Sequence, residues 1–177
     1  MRRVLVIGSA GAGKTTLSRH LAAKLDVPVH YLDLHHWDPG WTYRDRAKAR
    51  EAVRALSATP AWVMDGNFAE TFDLRMPRAD TLVWLDYPRA TCIRRILTRT
   101  IQDYGKQKPD LPEGCPETFD MQVLRFAWRF PAQSRPEIVA AIERHGGHLN
   151  VFTLHDDREV AAFSRSQGVE RRCSACS

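Results

Sequence analysis

Short apolar runs alternate along this chain with segments in which apolar residues recur at helical spacing. Leu17, Leu21 and Leu25, for example, lie four residues apart, which is typical of an amphipathic helix. The segments predicted as helices are 14–25, 44–59, 89–104, 119–130, 135–145 and 157–166. The apolar runs, rich in β-branched and aromatic residues, predict strands over 2–7, 27–33, 61–67, 80–88 and 148–155.

This alternation predicts an α/β fold. Successive parallel strands need a crossover connection, usually a helix, and such helices cover both faces of the sheet. The run DTLVWLDYP at 80–88 is nearly continuous in apolar residues, as expected for a parallel strand that is buried on both faces. We therefore expect three layers, α/β/α, with a parallel five-stranded sheet in the middle.

The alternation is interrupted by GKQKPDLPEGCPETFD at 105–120, a segment rich in proline and glycine. These residues disfavour regular structure, and a loop of this length in a compact domain is usually functional or mobile. Pro131 and Pro136 then separate the two helices predicted on either side of them. We expect one domain over 1–166 with a lid over about 104–136, and a C-terminal tail over 167–177.

The tail carries Cys173 and Cys176 in a C-x-x-C arrangement. A structural zinc site usually needs two such pairs, or one pair with suitably spaced histidines. The sequence lacks that second half, so we expect a solvated chain end, with metal binding as the alternative.

The charge of the chain points to anionic partners. The 177 residues include 26 basic and 21 acidic ones, a formal net charge of +5, and this favours phosphates, nucleotides or nucleic acid as ligands. Only five of the 26 basic residues are lysine. Arginine binds phosphate oxygens bidentately, although a GC-rich genome that favours arginine codons explains the bias equally well.

The apolar stretches are shorter than the ~20 residues that a membrane-spanning helix needs. The N-terminal MRRVLVIG is expected to form the first strand, and it shows no signal-peptide cleavage pattern. We expect a cytoplasmic protein without membrane association.

The segment from Gly8 to Thr15 matches the phosphate-binding P-loop pattern G-x-x-x-x-G-K-T, between a buried strand and a helix. Backbone amides of such a loop and the N-terminus of the helix bind phosphate oxygens, the lysine reaches the β- and γ-phosphates, and the hydroxyl ligates Mg²⁺. A simple strand-to-helix turn is the alternative. The predicted nucleotide-binding residues are Gly8, Ser9, Ala10, Gly11, Ala12, Gly13, Lys14, Thr15 and Thr16, with Thr15 also a metal ligand and Lys14 also catalytic.

Polar and aromatic residues follow the next two predicted strands, at the edge where ligands bind in open α/β sheets. Asp33 and Asp65 could hold Mg²⁺ through water or accept a proton from an acceptor hydroxyl, and could instead cap the next element. We assign Asp33 to catalysis and acceptor binding, and Asp65 to the metal. Trp37 and Asn67 are further acceptor-site candidates, although Trp37 could equally cover the core.

Arginines follow the fourth predicted strand and surround the proline-rich loop. Arginine on a closing segment can stabilise the transferring phosphoryl group while the segment excludes water. Solvated helix faces are the alternative for most of them. We expect one or two to be catalytic, with Arg95, Arg99 and Arg125 as the candidates.

The motifs resemble those of the DNA topology modulation proteins, a family of adenylate kinase-like P-loop kinases. The resemblance covers about the first 160 residues. After the P-loop, it is carried by YLDLHHWDPGW, WVMDGN, RADTLVWLDYPR and PEGCPETFD followed by LRFAWRFP and SRP.

The resemblance implies an adenylate kinase-like fold with strand order 2-3-1-4-5. It also places HDDREV, residues 155–160, in the loop that binds the nucleotide base, which makes Arg158 a binding candidate. Two departures are the missing Phe-Pro-Arg after Asp65-Gly66 and a segment after the second strand that does not match the pocket for nucleoside monophosphates. The resemblance therefore does not indicate AMP as the acceptor.

We interpret the chain as a kinase that uses ATP and Mg²⁺ to phosphorylate a nucleotide or another small molecule. A nucleic-acid-associated ATPase or regulator is the alternative, suggested by the net charge and the family resemblance, although no nucleic-acid-binding motif is recognisable. A nucleotide-dependent switch is a third possibility. The acceptor and the oligomeric state are not indicated by the sequence.

Overall fold

A computed structural model describes residues 1–166, so Cys173 and Cys176 lie outside the described residues. Strands and helices alternate along the chain as the apolar pattern predicts. The elements are β1 (Arg3–Gly8), α1 (Lys14–Leu25), β2 (Val29–Tyr31), α2 (Asp33–His36), β3 (Trp37–Asp38), β4 (Thr42–Tyr43), α3 (Arg46–Ser57), β5 (Trp62–Asp65), α4 (Phe72–Arg75), β6 (Thr81–Leu85), α5 (Arg89–Asp103), α6 (Met121–His145), β7 (Asn150–Leu154) and α7 (Asp157–Ser166).

The main sheet has five parallel strands in the order β2-β5-β1-β6-β7. Counted among these five strands alone, this is the predicted order 2-3-1-4-5, and the predicted α/β class is confirmed. Strand β1 lies in the middle, so the loop that follows it has the ends of β5 and β6 on either side. This placement puts the phosphate-loop motif at the centre of one edge of the sheet.

The core has two halves, one on each face of the sheet. Val4 and Val6 of β1 pack with residues of α1 and α7, whereas Leu5 and Ile7 pack with residues of α4 and α6. Successive residues of a strand point to opposite faces. Both faces of β1 are therefore buried, which explains why its sequence is an unbroken apolar run.

One helix prediction was wrong. The two helices expected around Pro131 and Pro136 are a single helix, α6, with both prolines inside it. Proline removes a helix hydrogen bond and usually kinks or ends a helix. Phe130 and Ile138 nevertheless lie eight residues apart on the same side of α6, and both are buried in the same half of the core. A continuous helix buries both side chains, which compensates for the cost of the prolines.

A second difference lies after β2. The predicted strand over 27–33 is shorter, because Asp33 begins the short helix α2. The antiparallel pair β3 and β4, which the sequence pattern did not predict, follows this helix. A sheet of two-residue strands leaves too little apolar alternation to detect in a sequence.

The segment 104–120 is irregular, as predicted, but its ends are tied together. Gly105 N donates to Glu117 O at 2.8 Å, and Glu117 N donates to Lys106 O at 3.0 Å. The Glu117 carboxylate is only 5% exposed and accepts hydrogen bonds from Arg99, Thr100 and Lys108. We call residues 105–117 the closed loop. Within residues 1–166, no helix is both long and apolar enough to cross a membrane.

Candidate functional site

The phosphate loop, residues 8–16, connects β1 to α1 in a conformation that requires glycine. Gly8, Gly11 and Gly13 have φ angles of 146°, 77° and 94°. A Cβ atom on Gly8 would lie 2.5 Å from the carbonyl oxygen of Leu85, and one on Gly11 would overlap the carbonyl oxygen of Cys92. Both glycines are therefore needed for their backbone angles and for the close approach of neighbouring elements.

The loop ends at the N-terminus of α1, an arrangement suited to anions. Helix α1 begins at Lys14, directly after Gly13, which has no side chain to cap the first amides. The positive end of the helix dipole and these amides favour a negative ligand such as phosphate. Lys14 Nζ donates to Ser9 O at 3.0 Å, so the lysine lies over the loop as the P-loop pattern predicts.

Thr15 and Asp65 form the pair that the sequence predicted as metal ligands. Thr15 Oγ1 donates to Asp65 Oδ2 at 2.7 Å, and the two residues come from neighbouring elements, α1 and the end of β5. Asp65 is 6% exposed. Burial raises its pKa to about 6, with nearby Asp33 adding to the rise and Lys14 and Thr15 opposing it.

Asp33 lies in the same charged group. Burial raises the pKa of its carboxyl, and the Lys14 ammonium opposes this effect most strongly. Asp110, in the closed loop, also influences the pKa of Asp33 and of Asp65, and lies 3.7 Å from Arg19. The structure thus places Lys14, Asp33 and Asp65 close enough for their charges to interact. It adds Asp110, whose only sequence signal was its place in the proline-rich segment.

The donor set suits Mg²⁺ better than a metal held by protein alone. Among residues 1–166, no group of three histidine, cysteine, aspartate or glutamate side chains could hold a metal ion. Magnesium in phosphate-binding sites is usually bound through one or two carboxylates together with substrate phosphates and water. The Thr15 hydroxyl and the Asp65 carboxylate fit that role.

The sequence analysis assigned Asn67 to the acceptor site, but in the structure its side chain contacts Gly8 of the phosphate loop. Its Oδ1 accepts from Gly8 N at 2.9 Å, and its Nδ2 donates to Gly8 O at 2.7 Å. Strands β5 and β1 are adjacent and parallel, so the residue that follows β5 lies beside the end of β1. Both polar ends of the Asn67 side chain are thereby occupied by the backbone of the phosphate loop.

Arg95 lies beside the phosphate loop. Its Nη2 lies 2.6 and 2.7 Å from the two carboxylate oxygens of Asp157, and its Nη1 lies 3.4 Å from Ala12 O. The guanidinium also lies 4.6 Å from the centre of the Tyr87 ring. Hydrogen bonds from Tyr87 and Arg95 lower the pKa of Asp157. The sequence analysis did not single out Asp157, although this residue lies within HDDREV, because its partner Arg95 is 62 residues away.

The other two candidate arginines are placed differently. Arg99 Nε donates to Glu117 at 3.0 Å, and Arg99 is close enough to Asp33 to oppose the rise in its pKa. Arg125 is exposed near the start of α6. The structure therefore brings Arg99 to the charged group and leaves Arg125 on the surface.

Arg158 is exposed at the start of α7, where its backbone amide donates to Asp156 Oδ1 at 2.8 Å. Its neighbour Asp157 binds Arg95. The loop proposed for the nucleotide base is thus linked to the side of the phosphate loop.

Aromatic side chains line the segment after Asp33. Trp37 packs edge-on against Trp41 and Tyr43, with ring centres 5.8 and 4.8 Å away. Trp41 is 38% exposed and Tyr43 is 49% exposed. The backbone amide of Trp41 donates to Cys115 Sγ at 3.3 Å, so these rings are attached to the closed loop. Trp37 is half-buried, consistent with a wall that faces both core and solvent.

Comparisons with known proteins agree with this geometry. The sequence profile of the family described as AAA domain, a P-loop NTPase family, matches residues 4–124, more than half of the chain. The fold is similar to that of a shikimate kinase from Bacteroides thetaiotaomicron, with 18% identity, a TM-score of 0.53, and 97% of this chain and 98% of the other covered.

A shikimate kinase from Acinetobacter baumannii, solved in complex with shikimate, is also similar, with 14% identity and a TM-score of 0.56 over 100% of this chain and 96% of the other. At these identities the likeness shows the fold and not the reaction. A search of curated protein sequences found no match.

Proposed function

This chain belongs to the AAA domain family of P-loop NTPases, and we propose that it is a kinase that transfers the γ-phosphoryl group of ATP to a hydroxyl of a small molecule. The observation that carries the proposal is the meeting of Lys14, the Thr15–Asp65 pair and Asp33 at one edge of the sheet. The Asp33 carboxyl can accept a proton from an acceptor hydroxyl or from water, so the products of the reaction distinguish a kinase from a hydrolytic switch.

The phosphate loop would bind the β- and γ-phosphates of ATP through its amides and Lys14. The Thr15 hydroxyl and the Asp65 carboxylate would hold Mg²⁺, which supplies positive charge to the phosphates when bound. The Asp65–Thr15 hydrogen bond keeps both oxygens at the end of α1 before the ligand arrives.

Asp33 is proposed as the general base. Its raised pKa makes it a better proton acceptor than an ordinary aspartate, and Lys14 is near enough to oppose that rise. The acceptor hydroxyl would give its proton to the Asp33 carboxylate while its oxygen bonds to the γ-phosphorus. The bond from that phosphorus to the β–γ bridging oxygen breaks, and ADP leaves.

Arg95 and Arg99 would bind phosphate oxygens of ATP after leaving their present carboxylate partners. Both are paired with carboxylates, Asp157 and Glu117, in the structure. Phosphate oxygens are good bidentate partners for arginine, and binding of ATP would compete with these carboxylates. Arg125 and Arg158 would join only if the start of α6 or the base loop closes over the nucleotide.

The acceptor site is proposed between α2 and the closed loop. Trp37 forms its aromatic wall and Asp33 its polar end, while Asp110 contributes negative charge near the opening. The two solved neighbours are named as shikimate kinases, which also act on a small molecule.

The test is mass detection of products after incubation with ATP and Mg²⁺ across panels of hydroxylated acids, sugars, nucleosides and nucleoside monophosphates. We expect one phosphorylated product that Lys14→Ala no longer forms. The control variant Lys48→Ala, which replaces an exposed lysine on α3, should still form it. If ATP binds and no panel member is phosphorylated, with only free phosphate released, the kinase proposal fails in favour of an ATPase.

A role in nucleic-acid binding, as the resemblance to DNA topology modulation proteins implies, is the second candidate. One observation favours it: on α6, Trp128 is 59% exposed, and the Arg89 guanidinium lies 4.9 Å from the centre of its ring. Exposed aromatic rings beside arginines are typical of surfaces that stack bases. Binding of a single-stranded oligonucleotide that weakens with salt and is lost in Trp128→Ala would support it.

A further inference from the structure

The most deeply buried charge in the described chain lies outside the site derived above. Arg75, the last residue of α4, is 0% exposed. Its Nε donates to Thr71 Oγ1 at 2.9 Å, its Nη1 to Gly66 O at 3.1 Å, and its Nη2 to Asn67 O and, at 3.3 Å, to Phe68 O. One guanidinium thus binds three successive backbone carbonyls.

A buried cation of this kind is costly. All of these hydrogen bonds go to neutral oxygens, and the burial lowers the pKa of Arg75 to about 9. Burying a charge without a close counter-charge destabilises a protein unless hydrogen bonds compensate. An apolar side chain would fill the same space without that cost. The presence of an arginine at this position therefore indicates that its hydrogen bonds have a role.

The three carbonyls belong to a turn with an unusual backbone. We call residues 66–68 the DGN turn, after the sequence Asp65-Gly66-Asn67 that leads into it. Gly66 has φ 137° and Phe68 has φ 35°, so two of its three residues lie in the region that favours glycine. A non-glycine residue in that region strains the backbone. Arg75 holds the turn in this conformation from the inside of the protein.

The DGN turn carries the residue that holds the phosphate loop. Asn67 exchanges two hydrogen bonds with Gly8, one with its N–H and one with its carbonyl. The turn also begins directly after Asp65, the partner of Thr15. A path of direct contacts therefore runs from Arg75 through the DGN turn to the first residue of the phosphate loop.

We propose that Arg75 is a positioning residue for nucleotide binding, acting through Asn67 on Gly8. It does not touch the phosphate loop itself. Its role is to keep Asn67 in the one orientation in which both amide atoms meet the backbone of Gly8. The inference rests on the proposed function, since it assumes that the phosphate loop binds ATP.

The experiment is a double-mutant cycle on the affinity for Mg²⁺–ATP, measured by calorimetry on the full chain. Arg75→Lys keeps the charge but cannot span three carbonyls, and Asn67→Leu, a variant of similar size, loses both hydrogen bonds to Gly8 without adding a charge. We expect each change to weaken ATP binding about tenfold, the scale of one lost hydrogen bond. If both act on one path, the double variant binds little more weakly than the worse single one.

Arg50→Lys is the matched control. Arg50 lies on α3 and pairs with Asp73 of α4 at 2.7 Å, so the same substitution perturbs the same helix without reaching the carbonyls of Asn67 and Phe68. We expect its ATP affinity to equal that of the wild type. An Arg50→Lys effect as large as that of Arg75→Lys would mean that α4 as a whole matters, which overturns the proposed path.

The outcomes separate this inference from the proposed function. Wild-type protein that binds no ATP overturns both. Wild-type binding that Lys14→Ala abolishes, with Arg75→Lys or Asn67→Leu unchanged, overturns the inference alone, as do effects that simply multiply in the double variant.

If Arg75→Lys does not fold, Thr71→Val tests the same path with a smaller change. This substitution keeps the shape of a fully buried side chain and removes the hydroxyl that accepts from Arg75 Nε and donates to Phe68 O, so both of its contacts to the turn and its arginine are lost. We expect a severalfold loss of ATP affinity with the folded structure retained. Unchanged affinity in folded Thr71→Val would count against the role of Arg75.

Discussion

The phosphate loop and the closed loop lie at the same edge of the molecule but are held by different forces. The phosphate loop is held by the backbone: Gly8 and Gly11 fit against carbonyl oxygens of β6 and α5, and Asn67 binds the backbone of Gly8. The closed loop is held by side chains, chiefly the buried carboxylate of Glu117. A segment held by its own backbone geometry can be predicted from the local sequence. A segment held by ion pairs depends on distant residues, and its side chains can exchange partners when a ligand binds.

The largest expected effect concerns Asp33, which lies between these two regions. Asp33→Asn removes the proposed proton acceptor, so we expect kcat to fall by about 10²–10⁴-fold, the usual contribution of general-base catalysis. The KM for ATP should change little, because Asp33 is not part of the phosphate loop. Steady-state kinetics with the identified acceptor measure this. Asp38→Asn, on the neighbouring hairpin, is the control, and an Asp33→Asn enzyme that retains more than a tenth of kcat would exclude the base role.

The second prediction contrasts two glycines, one in each loop, that have nearly the same backbone angle. Gly11 has φ 77° and Gly105 has φ 75°, but only Gly11 has a neighbour that a Cβ would overlap. We expect Gly105→Ala to cost about 1 kcal/mol through backbone strain alone. Gly11→Ala should cost a further ~1–3 kcal/mol from overpacking and should abolish ATP binding.

Urea unfolding and calorimetry with ATP measure the two effects. The comparison isolates the close approach of Cys92, because the strain is matched. Equal losses of stability in the two variants would show that the phosphate loop tolerates the extra methyl group.

The third prediction concerns the pH dependence of stability at Asp65. Its pKa is about 6 in the folded protein, above the ordinary value of 3.8. Its contribution to stability is therefore fully present below the ordinary pKa and is lost as the pH rises through about 6. Asp65→Asn, which resembles the protonated form, should stabilise the ligand-free protein by roughly 1–3 kcal/mol at pH 7.5 and by about half as much at pH 5, where the folded carboxyl is mostly protonated.

Thermal unfolding at the two pH values checks this expectation. The same variant should lose Mg²⁺-dependent activity, because the carboxylate is a proposed metal ligand. A gain in stability that is the same at pH 5 and pH 7.5 would rule out titration of Asp65 as its source.

The smallest expected effect is on the closed loop. Glu117→Gln leaves Arg99 and Lys108 without their buried counter-charge, and we expect a loss of about 1–2 kcal/mol in the free energy of unfolding. Glu113→Gln, an exposed change in the same loop, should have no measurable effect. Urea unfolding compares the two. Loss of stability in both variants, or in neither, would remove Glu117 as the residue that holds the loop.

Much of the fold and part of the site were predictable from the sequence, and the reason is local. The apolar runs indicated the five strands of the main sheet, and the glycine spacing from Gly8 to Lys14 indicated the phosphate loop. The strand order came from the family resemblance. Helix α6 shows where a local rule failed, because burial of Phe130 and Ile138 in one core outweighed Pro131 and Pro136.

The partners of the charged side chains were decided only by the tertiary structure. Arg95 meets Asp157, 62 residues away in sequence, and Asn67 meets Gly8 across 59 residues. Backbone angles and burial can be predicted from the nearby residue types, because each type has its own allowed conformations and hydrophobicity. The contact partner of a charged or amide side chain cannot be predicted from the local sequence, since it depends on which distant segments the packed sheet brings to the same place.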